Sequence, residues 1–131
     1  MKNYLYPAFF TPGDHGSYGA EFPDLPGCFS AGDDLENALT MAREALGLHL
    51  YGLLEDGDPV PAASAPEGLT VPEGTFLGLI EGRPDLIGEK IRNSAVKKTL
   101  TIPKWMNEEA ERQGLNFSQI LQDALRERIQ G

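Results

Sequence analysis

The sequence has little cysteine and no long apolar run. Its 131 residues include one cysteine, Cys28, which excludes an internal disulfide framework and fits a reducing compartment. No apolar stretch reaches the roughly 18 residues that a membrane-spanning helix needs. The opening stretch, MKNYLYPAFF, lacks the apolar core and small-residue cleavage site of a signal peptide. We therefore expect a cytoplasmic protein without a membrane span.

Basic residues are scarce in the first two thirds of the chain. Residues 1–89 contain 3 basic and 15 acidic side chains, a net charge of −12, whereas residues 90–131 contain 8 basic and 5 acidic ones, a net charge of +3. The total of −9 argues at first against binding to nucleic acid. Because the two signs are separated, an acidic body joined to a basic tail indicates two partners of opposite charge.

Residues with metal-ligand spacing are also lacking. His15 and His49 have no companion at such a spacing. Glu21, Asp24 and Asp33 resemble the acidic residues of a metal-dependent nuclease, whose carboxylates must converge on one point. Asp33 is better explained as a helix cap, and Glu21 as an exposed strand residue. We expect no metal, no cofactor and no catalysis; a minimal metal-dependent nuclease and a ligand-sensing repressor are the alternatives.

The body is predicted to contain strands with one long helix between them. Asp33 is the expected N-cap of that helix and Glu36 the second half of a capping box, while Gly57 ends it. Because the last strand follows a helical crossover, a parallel pairing with an earlier strand is expected. Residues 58–73 contain four prolines and form either an ordered extended loop or a mobile excursion. The predicted strands are Tyr4–Thr11, Tyr18–Phe22, Phe29–Ala31 and Thr75–Glu81.

The tail begins with a short alternating segment, Val96–Ile102. Lys97, Thr99 and Thr101 point one way, and Lys98, Leu100 and Ile102 point the other. A lone strand of this length is unstable, so it is expected to pair with the same strand of a second copy. Two helices follow, at about Lys104–Gln113 and Phe117–Gln130, with Gly114 ending the first and Asn116 capping the second. The predicted dimer core is Leu100, Ile102, Ile120, Leu121 and Leu125.

This strand-helix-helix order resembles the ribbon-helix-helix repressors. The resemblance is carried by Thr99–Pro103 (TLTIP) and by Gly114–Ser118 (GLNFS). It implies that the paired strands enter the DNA major groove, where the outward side chains contact bases. It also implies that the free amides at the start of the second helix hold a backbone phosphate. The implied DNA-binding residues are Lys97, Thr99, Thr101, Phe117 and Ser118.

The body carries a second resemblance. Tyr6-Pro7-Ala8, the loop FPDLPGC at 22–28, Gly32-Asp33 and the long helix rich in alanine and leucine resemble the HicB antitoxins. That family implies an α+β protein: a partial RNase-H-like β-β-β-α-β domain followed, in one branch, by a ribbon-helix-helix domain. The implied boundaries are 1–82 for the toxin-binding domain, 83–94 for a linker and 95–131 for the DNA-binding and dimerisation domain.

The family resemblance also implies the function. The partner would be a HicA-type toxin, a small basic mRNA-cleaving protein whose active site the antitoxin covers. The complex would repress its own operon by binding operator DNA, as a homodimer or as a tetramer. An acidic body suits a basic ligand, and the candidate toxin-binding residues are Glu21, Asp24, Leu25 and Asp33.

Overall fold

The computed structural model describes residues 4–131, which form two compact units, one ending at Ser94 and the other beginning at Ala95. The first contains strands β1 (Tyr4–Pro12), β2 (Tyr18–Glu21), β3 (Phe29–Gly32) and β4 (Phe76–Gly82), with helices α1 (Leu35–Asp56) and α2 (Pro84–Arg92). The second contains helices α3 (Lys104–Arg112) and α4 (Phe117–Gln130). The predicted α+β class is confirmed at this level, as a four-stranded antiparallel sheet with four helices in the described residues.

The sheet has the order β3-β2-β1-β4, and every neighbouring pair is antiparallel. β4 lies beside β1 with Tyr4 opposite Gly82 and Phe10 opposite Phe76. The predicted parallel pairing of the fourth strand is therefore wrong. That prediction assumed that helix α1 alone carries the chain from the third strand to the fourth.

The loop 58–73 makes a second crossing. Near its start, the carbonyl oxygen of Pro61 accepts a hydrogen bond from the Tyr6 hydroxyl, at the N-terminal part of β1. The loop ends where Phe76 pairs with Phe10, at the far end of β1. Because α1 and then the loop each traverse the sheet, β4 has to run back antiparallel to β1.

The core lies between one face of the sheet and α1. Ala38, Ala42, Leu46 and Leu50 form the buried stripe of the helix, at the helical spacing expected from the sequence. A Cβ atom added to Gly82 of β4 would lie 2.7 Å from Cγ of Leu46, so glycine is needed for this close packing. Within residues 4–131, no helix combines the length and apolar character needed to cross a bilayer.

The start of α1 differs from the sequence prediction by one residue. Asp34, not Asp33, is the N-cap, and its side chain accepts a hydrogen bond of 2.8 Å from the N–H of Asn37. Asn37 returns the bond, because its side-chain oxygen accepts from the N–H of Asp33 at 3.0 Å. The reciprocal cap thus uses Asn37 in place of Glu36, since the helix begins one residue later. The predicted end at Gly57 is confirmed, with φ of 70°.

The segment expected to be a linker, 83–94, forms α2 and lies within the first unit. α2 packs closely on α1 at two glycines. A Cβ on Gly47 would lie 3.1 Å from the Ile87 side chain, and a Cβ on Gly88 would lie 3.2 Å from the ring of Tyr51. The helix–helix contact therefore depends on small residues on both sides.

In the second unit, residues 95–103 form neither helix nor strand in the single chain. The strand expected at Val96–Ile102 requires a second copy and stays a prediction. The helices match the predicted ones: Gly114 ends α3 with φ of 66°. The side chain of Asn116 caps α4 by accepting from the N–H of Gln119 at 3.0 Å.

Candidate functional site

An apolar groove runs along the second unit between the extended segment and α4. Leu100 is 57% exposed in the single chain and Ile120 is 49% exposed. Apolar side chains of this size are normally covered, so a contiguous set of them marks a contact surface. The groove is lined by Lys98, Leu100, Ile102, Asn107, Phe117, Ser118, Ile120, Leu121 and Ala124.

Alternate side chains of the extended segment, residues 95–103, lie on two different sides of it. Lys98, Leu100 and Ile102 line the groove, whereas Lys97, Thr99 and Thr101 do not and are exposed. Among the described residues, Lys97 and Lys98 make no ion pair, while Arg112 and Arg126 are each paired with a carboxylate of their own helix. The exposed side of this segment therefore keeps its positive charge and its hydroxyls available for an anionic partner.

Phe117 and Ser118 lie in the first turn of α4. The Asn116 side chain satisfies the N–H of Gln119, and the first N–H groups of a helix have no intrahelical acceptor. The N–H groups of Phe117 and Ser118 therefore favour a bound anion, helped by the helix dipole. The side chain of Phe117 lines the apolar groove, so only its backbone serves this role.

The loop 22–28 is held in place by the loop 58–73. The carboxylate of Asp24 accepts from the N–H of Ser64 at 2.8 Å and from the Ser64 hydroxyl at 2.5 Å. Leu25 is 1% exposed and belongs to the core. Two of the four candidate toxin-binding residues therefore have contacts within the body: Asp24 ties two loops together, and Leu25 packs in the core. Residues 58–73 are thus tethered to the body at two points, Pro61 and Ser64.

Burial raises the pKa of two ionisable groups of the body, Tyr6 and Cys28. Burial, and then the negative charge of Asp24 and the neighbouring Tyr4, raises the pKa of the Tyr6 hydroxyl, so the phenol stays protonated and donates to Pro61. Burial raises the pKa of the Cys28 thiol to about 11. Cys28 therefore remains a thiol near neutral pH and is no nucleophile.

The other two candidates, Glu21 and Asp33, are exposed. Glu21 lies on the sheet face that α1 does not cover, together with Phe29, which is 71% exposed. The sequence prediction missed Phe29 as a surface residue. Phe29 is directly opposite Glu21 in the pairing of β2 with β3. Once that pairing is known, strand geometry places both side chains on the same face.

Carboxylates do not converge in this body. Within the described residues, 4–131, no group of three histidine, cysteine, aspartate or glutamate side chains is placed to hold a metal ion. Glu21, Asp24 and Asp33 are thus not gathered at one point, and the nuclease alternative draws no support from their positions. Both units expose large apolar side chains, among them Phe29 in the first and Leu100 in the second.

Comparison with known proteins places this chain in a family. Residues 6–123 match the family described as HicB-like antitoxin of bacterial toxin–antitoxin system. The chain belongs to this family, and the resemblance seen in the sequence is confirmed. Over 100 residues it is 43% identical to an uncharacterized 14.9 kDa protein in the rep–hol intergenic region of Haemophilus phage HP1, covering 76% of this chain and 73% of the phage protein.

Two further similarities concern an antitoxin and a solved complex. The chain is 38% identical over 61 residues to Antitoxin HicB 1 of Photorhabdus laumondii, and the match covers 47% of this chain and 39% of that antitoxin. Its fold is similar to one chain of a toxin–antitoxin complex from Streptococcus pneumoniae, with a TM-score of 0.62 and 28% identity over 97% of this chain and 99% of that one.

Proposed function

We propose that this protein is an antitoxin that binds a HicA-type mRNA-cleaving toxin and covers its active site, without enzymatic activity of its own. The observation that carries the proposal is the family match over residues 6–123. It is supported by the similarity over nearly the whole chain to a component of a toxin–antitoxin complex. The body, with its partial RNase-H-like architecture, is the proposed toxin-binding domain.

The electrostatics of the body support a basic partner. Residues 1–89 have a net charge of −12, which attracts and retains a basic protein. Glu21 and Asp33 are the candidate contacts with free exposure, whereas Asp24 and Leu25 act through the shape of the loop 22–28.

The antitoxin role predicts rescue of growth. Expression of the HicA-type toxin from the same operon is expected to arrest growth, and co-expression of this chain is expected to restore it. The purified chain should form a stable complex with a toxin whose catalytic histidine has been replaced, measured by calorimetry. Arrested growth despite folded, abundant antitoxin, together with no heat of binding, would refute the proposed function.

We further propose that the tail, 95–131, forms a ribbon-helix-helix dimer that binds operator DNA and represses its own operon. In the dimer, the apolar groove of each copy is covered by the other copy. The strands of two copies pair, so that Lys97, Thr99 and Thr101 of each face the major groove. The N–H groups of Phe117 and Ser118 hold a backbone phosphate.

Thr101→Ala is expected to lower operator affinity about tenfold while toxin affinity stays unchanged, because a side-chain contact to a base is lost. The measurement is a gel-shift titration at fixed salt. Ser94→Ala, whose hydroxyl bonds to the carbonyl of Ile91 within the first unit, is the matched loss of a hydroxyl outside the tail. Equal operator binding by Thr101→Ala and the unaltered chain would remove Thr101 from the DNA-binding surface.

A further inference from the structure

The sheet of the first unit has a second face, opposite α1. Phe10 and Gly82 face the helix side, because a Cβ on Gly82 meets Leu46 and Leu50 of α1, and strand alternation turns their neighbours to the other side. Leu5, Phe29 and Leu79 of this second face are exposed. The face thus exposes large apolar side chains, and its two charged residues, Glu21 and Glu81, are both acidic.

Three side chains of this face lie in one row across the sheet. Phe29 of β3 is opposite Glu21 of β2, and Glu21 is opposite Phe9 of β1. Side chains at directly opposite positions lie about 5 Å apart at Cβ. The carboxylate of Glu21 therefore emerges between two phenyl groups, and in the described residues it has no ion-pair partner.

The row forms the floor of a groove of about 590 Å³. One wall is the loop 22–28, where Pro23 and Pro26 are exposed and the backbone is held by the hydrogen bonds of Asp24 to Ser64. Glu21 is the one charged side chain among the described residues that line the groove. The groove thus combines a wall held by hydrogen bonds with a floor that carries two phenyl rings and a single negative charge.

We propose that this groove receives a cationic side chain of the toxin, an arginine or lysine, which pairs with Glu21 between Phe9 and Phe29. This inference rests on the proposed function. A cation there gains a charge-assisted hydrogen bond to the carboxylate and attraction to the faces of the flanking rings. The apolar stem of the same side chain covers the rings. An anionic or a neutral side chain would not both pair with Glu21 and cover the rings equally well.

A second copy of this chain fits the face less well. In a two-fold contact, each copy would present the same face to the other, and on both copies that face carries Glu21 and Glu81 and, among the described residues, no basic side chain. Like charges brought together in a desolvated contact are unfavourable. A basic partner turns the same carboxylates into favourable contacts, so the charge of the face selects the toxin.

The test compares single substitutions in the full-length chain. Glu21→Gln and Phe29→Ala are each expected to weaken binding of the catalytically inactive toxin about tenfold. Glu81→Gln lies on the same face, opposite Leu5 and not between aromatic rings, and is the matched control expected to change affinity less than about twofold. Added salt should weaken the unaltered chain more than Glu21→Gln.

The possible results separate the groove from the proposed function. If the unaltered chain binds no toxin, the proposed function fails and this inference fails with it. If it binds toxin, and Glu21→Gln and Phe29→Ala bind equally well, the toxin docks elsewhere and only the groove is refuted. If these two variants change the mass of the free protein in sedimentation and leave toxin affinity unchanged, the face is a contact between copies and the inference is again overturned.

Discussion

Leu121→Glu is expected to make the protein monomeric and to abolish operator binding. Leu121 lines the apolar groove of the tail, which we propose the second copy covers. Two-fold symmetry would bring a carboxylate from each copy into this apolar contact, and burying unpaired charge costs several kcal/mol. Because a ribbon needs a strand from each copy, operator affinity should fall at least about a hundredfold.

The control for this substitution is the next residue of α4. Gln122→Glu adds the same carboxylate at an exposed position that does not line the groove, and it should leave the dimer intact. Molar mass by light scattering, operator binding by fluorescence anisotropy and toxin affinity by calorimetry should be measured on both variants. Leu121→Glu should keep the toxin affinity, because the proposed toxin contacts lie in the body. A dimeric Leu121→Glu that still binds operator would move the dimer contact away from α4.

The helices and their ends were predictable from the sequence because the signals for them lie within a few neighbouring residues. Helical spacing identified the buried stripe of α1, and Gly57 and Asn116 marked a helix end and a helix start. The choice between Asp33 and Asp34 as the cap was not predictable, since adjacent aspartates offer the same side chain. The backbone conformation of Asp34 and its hydrogen bond to Asn37 decide it.

The features that depend on distant residues were not predictable. The direction of β4 follows from the path of the loop 58–73, which is held by Tyr6 and Asp24 far back along the chain. The groove around Glu21 requires the pairing of three strands, and no periodicity in one strand reveals it. Residues 95–103 form neither helix nor strand in the single chain, and the strand predicted at Val96–Ile102 would need a partner strand from a second copy.

Gly32→Ala is expected to destabilise the body by about 2–4 kcal/mol. Gly32 ends β3 beneath the first turn of α1. An added Cβ would lie 2.3 Å from the backbone nitrogen of Ala38, 2.5 Å from its Cα and 2.7 Å from the carbonyl carbon of Asn37. These are backbone atoms of a capped helix end, so they cannot move aside as a flexible side chain would, and β3 or α1 has to shift.

Urea unfolding can be followed separately in the two units. The four tyrosines, Tyr4, Tyr6, Tyr18 and Tyr51, all lie in the first unit, and Trp105, the one tryptophan, lies in the second. Gly32→Ala should lower the midpoint of the tyrosine signal and leave the tryptophan transition in place. Gly52→Ala is the control within α1: a Cβ there meets nothing within 4 Å, so it should stabilise the body by about 0.5–1 kcal/mol through helix propensity.

The same substitution connects stability to the proposed toxin contact. Gly32 and Phe29 belong to one four-residue strand, so a shift of β3 away from α1 displaces the ring beside Glu21. Gly32→Ala should therefore weaken toxin binding under conditions where the body is still folded, whereas Gly52→Ala should not. An unchanged tyrosine midpoint would show that β3 and the start of α1 do not pack as closely as the Gly32 contacts indicate. A lowered midpoint with full toxin affinity would show instead that the toxin does not use the position of β3.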